Sequence, residues 1–556
     1  MPRSSIDERT SKERFLDIGE DTRIAVSSPD EDLTLQDTDR VTGRAALVGN
    51  ARAALAVAAA VRSTLGPKGM DKMLIDQNGE VLITNDGATV LDTAKVEHPT
   101  AKLVIETSIA QDRVARDGTT TSILILAELL RNALELSRSG LHPTIIADSY
   151  RSAYSMCMEE IDSIARPVAS DEDVQHIVST CIGQKVDSSM LDLVCRLALD
   201  ASESIGVGDP DGERVLVKRI SLEEGAVTDT ELVSAFVTRK QRFDKSMPNH
   251  GGGCSIAVID GGLEVPEVEF DTELEISSLG VREGFIQRRR KKLEGLVSHL
   301  ESLGVGILAV RDGIDEEAQS MLRKAGINCF RRFDKEDLDR LSEITGAVIV
   351  RSIEVAESTH LGRCDSWKER KVSGVHYLHV VSNSGRGKTL LVRGSTPALR
   401  DEVIRTFDDA LGVAVRVSGV APMLPGGGST WSHLARMLRN EASKYAGKRQ
   451  LAVEGFADAL ETIPRVLAQN SGHDPIDRIL ELSAAQTKGG PWIGFDLMTD
   501  NLVSLDSIGI IDLRLVVENA LSGATEGAIS VLRIDDVLWA KVEPGEPDWN
   551  QDEDED

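Results

Sequence analysis

Val61-Arg62-Ser63-Thr64-Leu65-Gly66-Pro67-Lys68-Gly69-Met70-Asp71-Lys72-Met73 joins two kinds of chain. Upstream, the Ala-rich apolar spacing from Thr42 to Arg62 is helical, and Gly66, Pro67 and Gly69 then break the helix into a loop. Downstream, Met73-Leu74-Ile75 and Val81-Leu82-Ile83 are short β-like runs around Gln77-Asn78-Gly79, where Asn-Gly reaches positive φ at little cost. That spacing predicts a hairpin. Helical runs from Thr100 to Arg113 and from Thr119 to Ser137 flank the turn Arg116-Asp117-Gly118.

The middle third changes character. Ser255-Ile256-Ala257-Val258-Ile259, Gly306-Ile307-Leu308-Ala309-Val310 and Ala347-Val348-Ile349-Val350 read as buried strands, separated by helical stretches such as Arg288 to Leu303. After Gly387 the pattern returns to strand and then helix, and from Thr430 it is mainly helical with terminal strands. A helical domain split around an α/β insert fits this order better than domains strung in series. A length of 556 residues agrees with about three or four domains. The first residues, to about 38, and Asp548 to Asp556 are charged and poor in apolar residues, so both are expected to be flexible tails.

A net charge of −28 and an aromatic content of 3% remove the basic footprint and the stacking platforms that nucleic acid needs. The six cysteines, Cys157, Cys181, Cys195, Cys254, Cys329 and Cys364, lie far apart without a C-x-x-C pair. They read as reduced, mostly buried thiols. Met1 to Asp39 lacks the basic and apolar regions of a signal peptide, and apolar stretches such as Ala53 to Val61 are short for a membrane of about 30 Å. The expectation is a cytoplasmic protein with neither nucleic acid nor membrane as partner.

Three separated turns share one chemistry: Gly66-Pro67-Lys68-Gly69, Asn85-Asp86-Gly87 and Asp117-Gly118-Thr119-Thr120-Thr121. Glycines let backbone amides approach a phosphate, and a helix start favours anions, so Thr119 to Thr121 could cradle one. Asp117 could hold Mg²⁺ against phosphate oxygens, and Asp86 joins the same cluster if the turns converge. Singly, such turns are ordinary; the combination is specific. Gly385-Arg386-Gly387-Lys388-Thr389 imitates the end of a Walker A loop, but Ser382 stands where its first glycine belongs. The flanks Val375 to Val381 and Thr389 to Val392 read as strands, so a hairpin turn is expected there.

The runs Val61 to Met73, Thr84-Asn85-Asp86-Gly87-Ala88-Thr89 and Asp117 to Thr121 resemble the nucleotide-site motifs of group II chaperonins, the ATP-driven double-ring folding machines. So do Pro425-Gly426-Gly427-Gly428, Phe456-Ala457-Asp458-Ala459-Leu460 through Asp474-Pro475-Ile476-Asp477, and Leu532-Arg533-Ile534-Asp535-Asp536. The resemblance covers roughly Thr42 to Lys541. It implies a multidomain fold of α+β and α/β parts: a helical equatorial ATPase domain split in sequence, an intermediate hinge, and an α/β apical domain with a helical protrusion. The implied boundaries are an acidic tail 1–38, equatorial 39–150, intermediate 151–221, apical 222–371, intermediate 372–419, equatorial 420–545 and an acidic tail 546–556.

Carried over by position, the resemblance places ATP and Mg²⁺ on named residues. Leu65, Gly66, Pro67 and Gly87 would line the phosphates, Asp117 would hold Mg²⁺, and Gly118 with Thr119, Thr120 and Thr121 would bind the β and γ phosphates. Asp86 and Asp409 would position the attacking water, with Asp409 as the main carboxylate. Asp409 lies in Arg405-Thr406-Phe407-Asp408-Asp409-Ala410-Leu411, where the family's His-Asp is Asp-Asp. Lys185 would sense the γ-phosphate, Gly427 and Gly428 would underlie the adenosine, and Asp512 would stand at the ribose in place of the usual Glu. Two further departures are Arg116, for the first glycine of the family's Gly-Asp-Gly-Thr-Thr, and Trp431, for an acidic residue. If position 116 needs positive φ, arginine costs about 1 kcal/mol there.

The α/β insert resembles the client-binding domain, with Gln241 to Pro248 falling where the helical protrusion begins and Phe243, Met247, Met321 and Leu322 as candidates for the client rim. For Met321 and Leu322 a place in the core is an equal alternative. The implied function is ATP-driven encapsulation of non-native protein by rings of identical or paralogous subunits. The alternatives are a ring subunit that binds nucleotide but hydrolyses it poorly, which Arg116 would suggest, and a free-standing ATPase.

Overall fold

The computed structural model describes residues 38–75, 79, 81–94, 96–183, 188–205, 212–264, 279–383, 385–417 and 421–540. The expected tails, up to residue 37 and beyond 540, and Lys185 lie outside the described residues.

A helical body is assembled from both ends of this chain. Its axis is the Thr119–Arg138 helix, in which Ile123, Ile125, Leu126, Leu129 and Leu130 are wholly buried. Apolar residues on nearly every side demand partners all round, and helices Gly43–Val61, Pro99–Ala115, Lys448–Leu460 and Arg514–Leu532 supply them. The Gly43–Val61 helix, continued to Thr64, is long and apolar enough to cross a membrane by length and composition, more than Ala53 to Val61 alone suggested. Its Ala51, Ala54 and Val61 are instead buried against this core, where small side chains allow close packing. The Pro143–Ile164 helix buries Ile146, Tyr150, Cys157 and Ile161 in the same core, so the helical body extends past the expected limit at 150. Tyr150 meets Phe456 edge-on at 5.4 Å, and its hydroxyl donates to the Leu129 carbonyl at 3.0 Å. Strand Thr38–Thr42 pairs antiparallel with Asp536–Ala540, bringing the two ends of the described chain together.

Strands Val217–Leu222 and Lys388–Arg393 are parallel neighbours. Glu231–Val233 completes this sheet, antiparallel to Lys388–Arg393, and most of the remaining chain between the two parallel strands is looped out as an insert. Around this doorway the Pro397–Val417 helix packs on Asp171–Ile182 and Ser188–Ser202 over a second core that includes Val217, Leu390, Phe407 and Leu411.

Within the insert, strands run in the order Asn328–Phe330, Val305–Val310, Cys254–Ile259, Gly362–Cys364; the first three are parallel and the last antiparallel. Alternate residues split between two faces. Ala257, Ile259, Leu308 and Val310 bury against Leu279–Ser302 and Glu316–Lys324, while Ile256, Val258, Ile307 and Ala309 face the Lys335–Thr345 helix and a second sheet. That two-sided burial explains why these strands read as continuous apolar runs.

Two expectations fail here. Ala347 to Val350 is no strand; only Val350 bridges to Ile259, at the sheet's end. The Gly385 to Thr389 segment is no hairpin, because strands Val375–Val381 and Lys388–Arg393 belong to different sheets. It threads tightly past the end of the Lys335–Thr345 helix: a Cβ on Gly385 would lie 2.2 Å from the carbonyl oxygens of Glu343 and Ile344. Gln241 to Pro248, where the protrusion was expected to begin, is a turn closed by the Ser246 amide on Asp244 Oδ1 at 2.8 Å, and residues 265–278 beyond it lie outside the described residues. Met247 and Leu322 are buried, Leu322 taking the place in the core that was its alternative, whereas Phe243 and Met321 keep partial exposure against the insert's core.

Candidate functional site

The three turns do converge. They line two adjoining cavities, of about 400 Å³ and about 40 Å³, which share Leu65, Asp117, Gly118 and Thr121. Asp117 therefore stands at the neck between them.

Local backbone chemistry explains the placement. The Pro99–Ala115 helix ends on Arg116 in the left-handed region (φ 58°, ψ 9°), and Gly118 (φ 78°) starts the next helix, so Asp117 is held between two left-handed residues. Asp117 Oδ1 accepts the Gly118 amide at 2.7 Å, and its carbonyl accepts Gln111 Nε2 at 2.7 Å. Gln111 is itself pinned by Asn519 at 2.7 Å. Asp86 caps the Gly87–Thr93 helix, accepting the Thr89 amide at 2.8 Å and hydroxyl at 2.7 Å. Only glycine fits at 87, since a Cβ there would lie 2.4 Å from Thr120 Oγ1. Thr119 and Thr120, at the helix start, line the smaller cavity with Asn85, Asp86 and Gly87.

The larger cavity has the opposite character. Leu65, Gly66 and Pro67 form one edge, where Asn470 Nδ2 donates to the carbonyls of Leu65 at 2.8 Å and Arg62 at 3.1 Å. Gly427 (φ 59°) and Gly428 (φ 81°) form another, anchored by Ser429 Oγ on the Pro491 and Ile493 carbonyls and by Gln486 on Ser429. Phe495, Leu497, Met498 and Ile508 make an apolar wall. Buried Trp431 also lines it, so the departure from an acidic residue puts an aromatic surface in the cavity. Gly183 and Thr180 line it too, at the end of the helix that leads toward Lys185.

Charge is concentrated at the small end, where Asp86, Asp112 and Asp117 outnumber Arg116. Among the described residues no three His, Cys, Asp or Glu side chains are grouped tightly enough to hold a bare metal ion, so a cation there needs ligand oxygens as well. Mg²⁺ arriving with phosphates fits that donor set, since it keeps one or two carboxylates besides water and phosphate. Burial pushes the Asp512 carboxyl up to about 7, and the nearby Asp117 charge adds to the effect. The folded chain thus holds a proton that the unfolded chain releases near its ordinary value of 3.8. Stability from this group is present below that value and lost as pH rises through about 7. Asp512→Asn, which mimics the protonated form, is expected to raise the melting temperature of the nucleotide-free protein, and to do so more at pH 8 than at pH 5. A gain independent of pH would contradict the assignment.

Asp409 lines neither cavity. It lies on the Pro397–Val417 helix one turn before Gly412, against which the Arg116 stem packs; a Cβ on Gly412 would fall 2.3 Å from Arg116 Cγ. A turn further on, Arg416 donates to the Val114 and Arg113 carbonyls at 2.5 and 3.2 Å, capping the end of the Pro99–Ala115 helix. The helix that bears Asp409 is thereby docked on the turn that bears Asp117. Asp408, the departure beside it, pairs with Arg219 at 2.7 Å.

Residues 57–542 match the family model of the TCP-1/cpn60 chaperonins. The chain belongs to the TCP-1/cpn60 chaperonin family. Its similarity to a thermosome subunit of Pyrococcus abyssi is 38% identity over 511 residues, covering 91% of this chain and 93% of that protein. It is 37% identical over 509 residues to thermosome subunit alpha of Halobacterium salinarum (91% and 90% covered) and 37% over 517 residues to a thermosome subunit of Methanocaldococcus jannaschii (92% and 95%).

For a chaperonin chain, Arg116 is the departure with the clearest physical cost. Its φ of 58° is one that a residue with a Cβ adopts at about 1 kcal/mol or more. Arg116→Gly is expected to relieve that strain and raise ATP turnover in otherwise identical particles. A fall in turnover would show that the stem's contact with Gly412 outweighs the strain. Sequence reasoning missed the amides that hold the loops, Gln111, Asn470 and Gln486. Asn470, before Ser471-Gly472, carried a turn signal; Gln111 and Gln486 are ordinary helix residues until their partners are seen.

Proposed function

We propose that this chaperonin chain is an ATP-dependent folding subunit that binds MgATP with its adenosine in the larger cavity and its phosphates reaching through the neck into the smaller. The observation that carries this is the sharing of Asp117, Gly118 and Thr121 by one apolar and one charged cavity. Gly427 and Gly428 lie under the adenosine, with Asp512 at the ribose. The Leu65, Gly66 and Pro67 edge, Gly87, and the Thr119 to Thr121 helix start approach the phosphates with amides and hydroxyls. Lys185 is proposed to contact the γ-phosphate. Asp117 would hold Mg²⁺, which supplies charge neutralisation at the phosphates. Asp86 and Asp409 orient a water in line with the γ-phosphorus; as its oxygen bonds to phosphorus and ADP departs, its proton passes to Asp409.

The helical body is the equatorial domain, the Pro397–Val417 region the intermediate hinge, and the insert the apical domain. A hinge that carries Asp409 toward the nucleotide would couple hydrolysis to rigid-body closure over the client. Phe243 and Met321 remain client candidates; Met321 lines a groove of about 470 Å³ between Leu279–Ser302 and Glu316–Lys324. Ring partners would cover the hairpin Lys72–Ile75/Val81–Thr84, whose outward Met73, Ile75, Val81 and Ile83 are 64, 67, 50 and 43% exposed. The reading places the protein in the cytoplasm.

Electron microscopy of the purified particle, with its Mg²⁺-dependent ATP turnover, tests the proposal. Double rings that hydrolyse ATP are expected. A particle without rings would sink it, and rings that bind ATP without turning it over would leave a structural subunit.

A further inference from the structure

Outside the nucleotide site, one pair of reactive side chains is placed for chemistry with each other. Strands Cys254–Ile259 and Gly362–Cys364 are antiparallel, and their register sets Cys254 directly opposite Cys364. Residues so placed project from the same face with Cβ atoms about 4.5–5.5 Å apart, while a disulfide needs about 3.5–4.5 Å, so a local tightening suffices. The Gly362–Cys364 strand is a short strand at the edge of its sheet, so only one neighbouring strand fixes its position. On the other side of Cys254, Gly306 leaves space for it. A Cβ at 306 would lie 2.7 Å from Cys254 Cβ and 3.3 Å from its Sγ.

The two thiols are not equivalent. Cys364 is fully buried and its thiol donates to the Ser366 carbonyl at 3.2 Å, whereas Cys254 is partly exposed. The hydrogen bond between the two thiols lowers Cys254 and raises Cys364, so the accessible sulfur is the one that ionises more readily. The remaining thiols contrast with this pair. Cys157, Cys181, Cys195 and Cys329 are buried, and burial pushes both Cys195 and Cys329 up to about 12.

We propose that Cys254 and Cys364 form a reversible cross-strand disulfide by exchange with small aliphatic disulfides, Cys254 attacking and Cys364 resolving. The Cys254 thiolate displaces one half of the small disulfide, which leaves as a thiol with the proton Cys254 gave up. The Cys364 sulfur then attacks Cys254 Sγ, and its proton goes to the second departing thiol. Two protein thiols are oxidised and one small disulfide is reduced to two thiols. The link staples the edge strand to its sheet. Because Asp365 leads directly into strand Ser366–Val372, it also ties the two sheets of the insert together.

The test is equilibration of the full-length, assembled protein in mixtures of reduced and oxidised glutathione, followed by acid quench, alkylation and peptide mass spectrometry. The expected result is a peptide linking Cys254 to Cys364 that accumulates as the mixture becomes oxidising and disappears with reductant, the other four thiols staying alkylatable after unfolding. Cys364→Ser should stop at a glutathione adduct on Cys254, and Cys254→Ser should form neither species. The proposal is overturned if Cys254 stays unmodified throughout, if the wild type halts at the adduct, or if the link joins a different pair. The wild-type titration decides the pairing without any variant.

Discussion

Asp409→Ala is expected to lower ATP turnover by about 10²-fold or more while leaving nucleotide affinity nearly unchanged, the result that follows from the role proposed for it in positioning water and accepting its proton. The split between the two quantities follows from geometry. Asp409 lines neither cavity, so its loss removes no wall of the nucleotide pocket, and Asp117, Gly427 and Gly428 keep theirs. The docking of its helix rests on other groups, the Arg416 guanidinium over the Val114 and Arg113 carbonyls and the Arg116 stem on Gly412. The alanine variant should therefore still fold. Steady-state turnover with equilibrium binding of ATP checks this, and near-normal turnover would refute the role given to Asp409.

Ile75→Glu is expected to abolish ring assembly while leaving each subunit's helical content unchanged. The hairpin pairs Met73 with Ile83 and Ile75 with Val81, so these four side chains form one continuous face, and that face is exposed. The opposite face, with Leu74 paired to Leu82, is already partly buried. A strand pair apolar on both sides is built to be covered twice, once by its own chain and once by another. Burying a residue such as Ile75 contributes about 1.5–3 kcal/mol, and a carboxylate in its place reverses that at every contact around a ring. Sedimentation should show small species in place of rings, with circular dichroism unaltered. Intact rings would mean that this face is not the subunit contact.

Much of the backbone geometry of the candidate site was legible because glycine-dependent turns leave a signature. Gly66, Gly118, Gly427 and Gly428 occupy left-handed backbone, and Gly87 sits where a Cβ would strike Thr120, so chemistry and geometry demanded the same residues. The helix limits near Thr42, Thr100 and Thr119 were equally clear from apolar periodicity. What failed depended on partners distant in sequence. Met247 looks like an exposed apolar residue only until the insert's folding buries it. Ala347 to Val350 is apolar enough for a strand, but the sheet offers it a single bridge. The strands around Gly385 have hairpin spacing, yet each pairs within its own sheet. The limit at 150 fell inside a helix because one continuous apolar face, from Ile146 to Ile164, serves a single core.

The looped-out insert also dictates an order of events during synthesis. Its sheets are complete by Lys388–Arg393, so it can fold as it emerges from the ribosome. The Thr119–Arg138 helix has no such freedom, because it packs on Arg514–Leu532. Gln111, which bonds to the Val516 carbonyl, waits for a partner 405 positions later. At translation rates of about 5–20 residues per second, that wait lasts roughly 20–80 s. For that interval a helix built to be apolar on nearly every side lacks its final cover, and such surfaces aggregate.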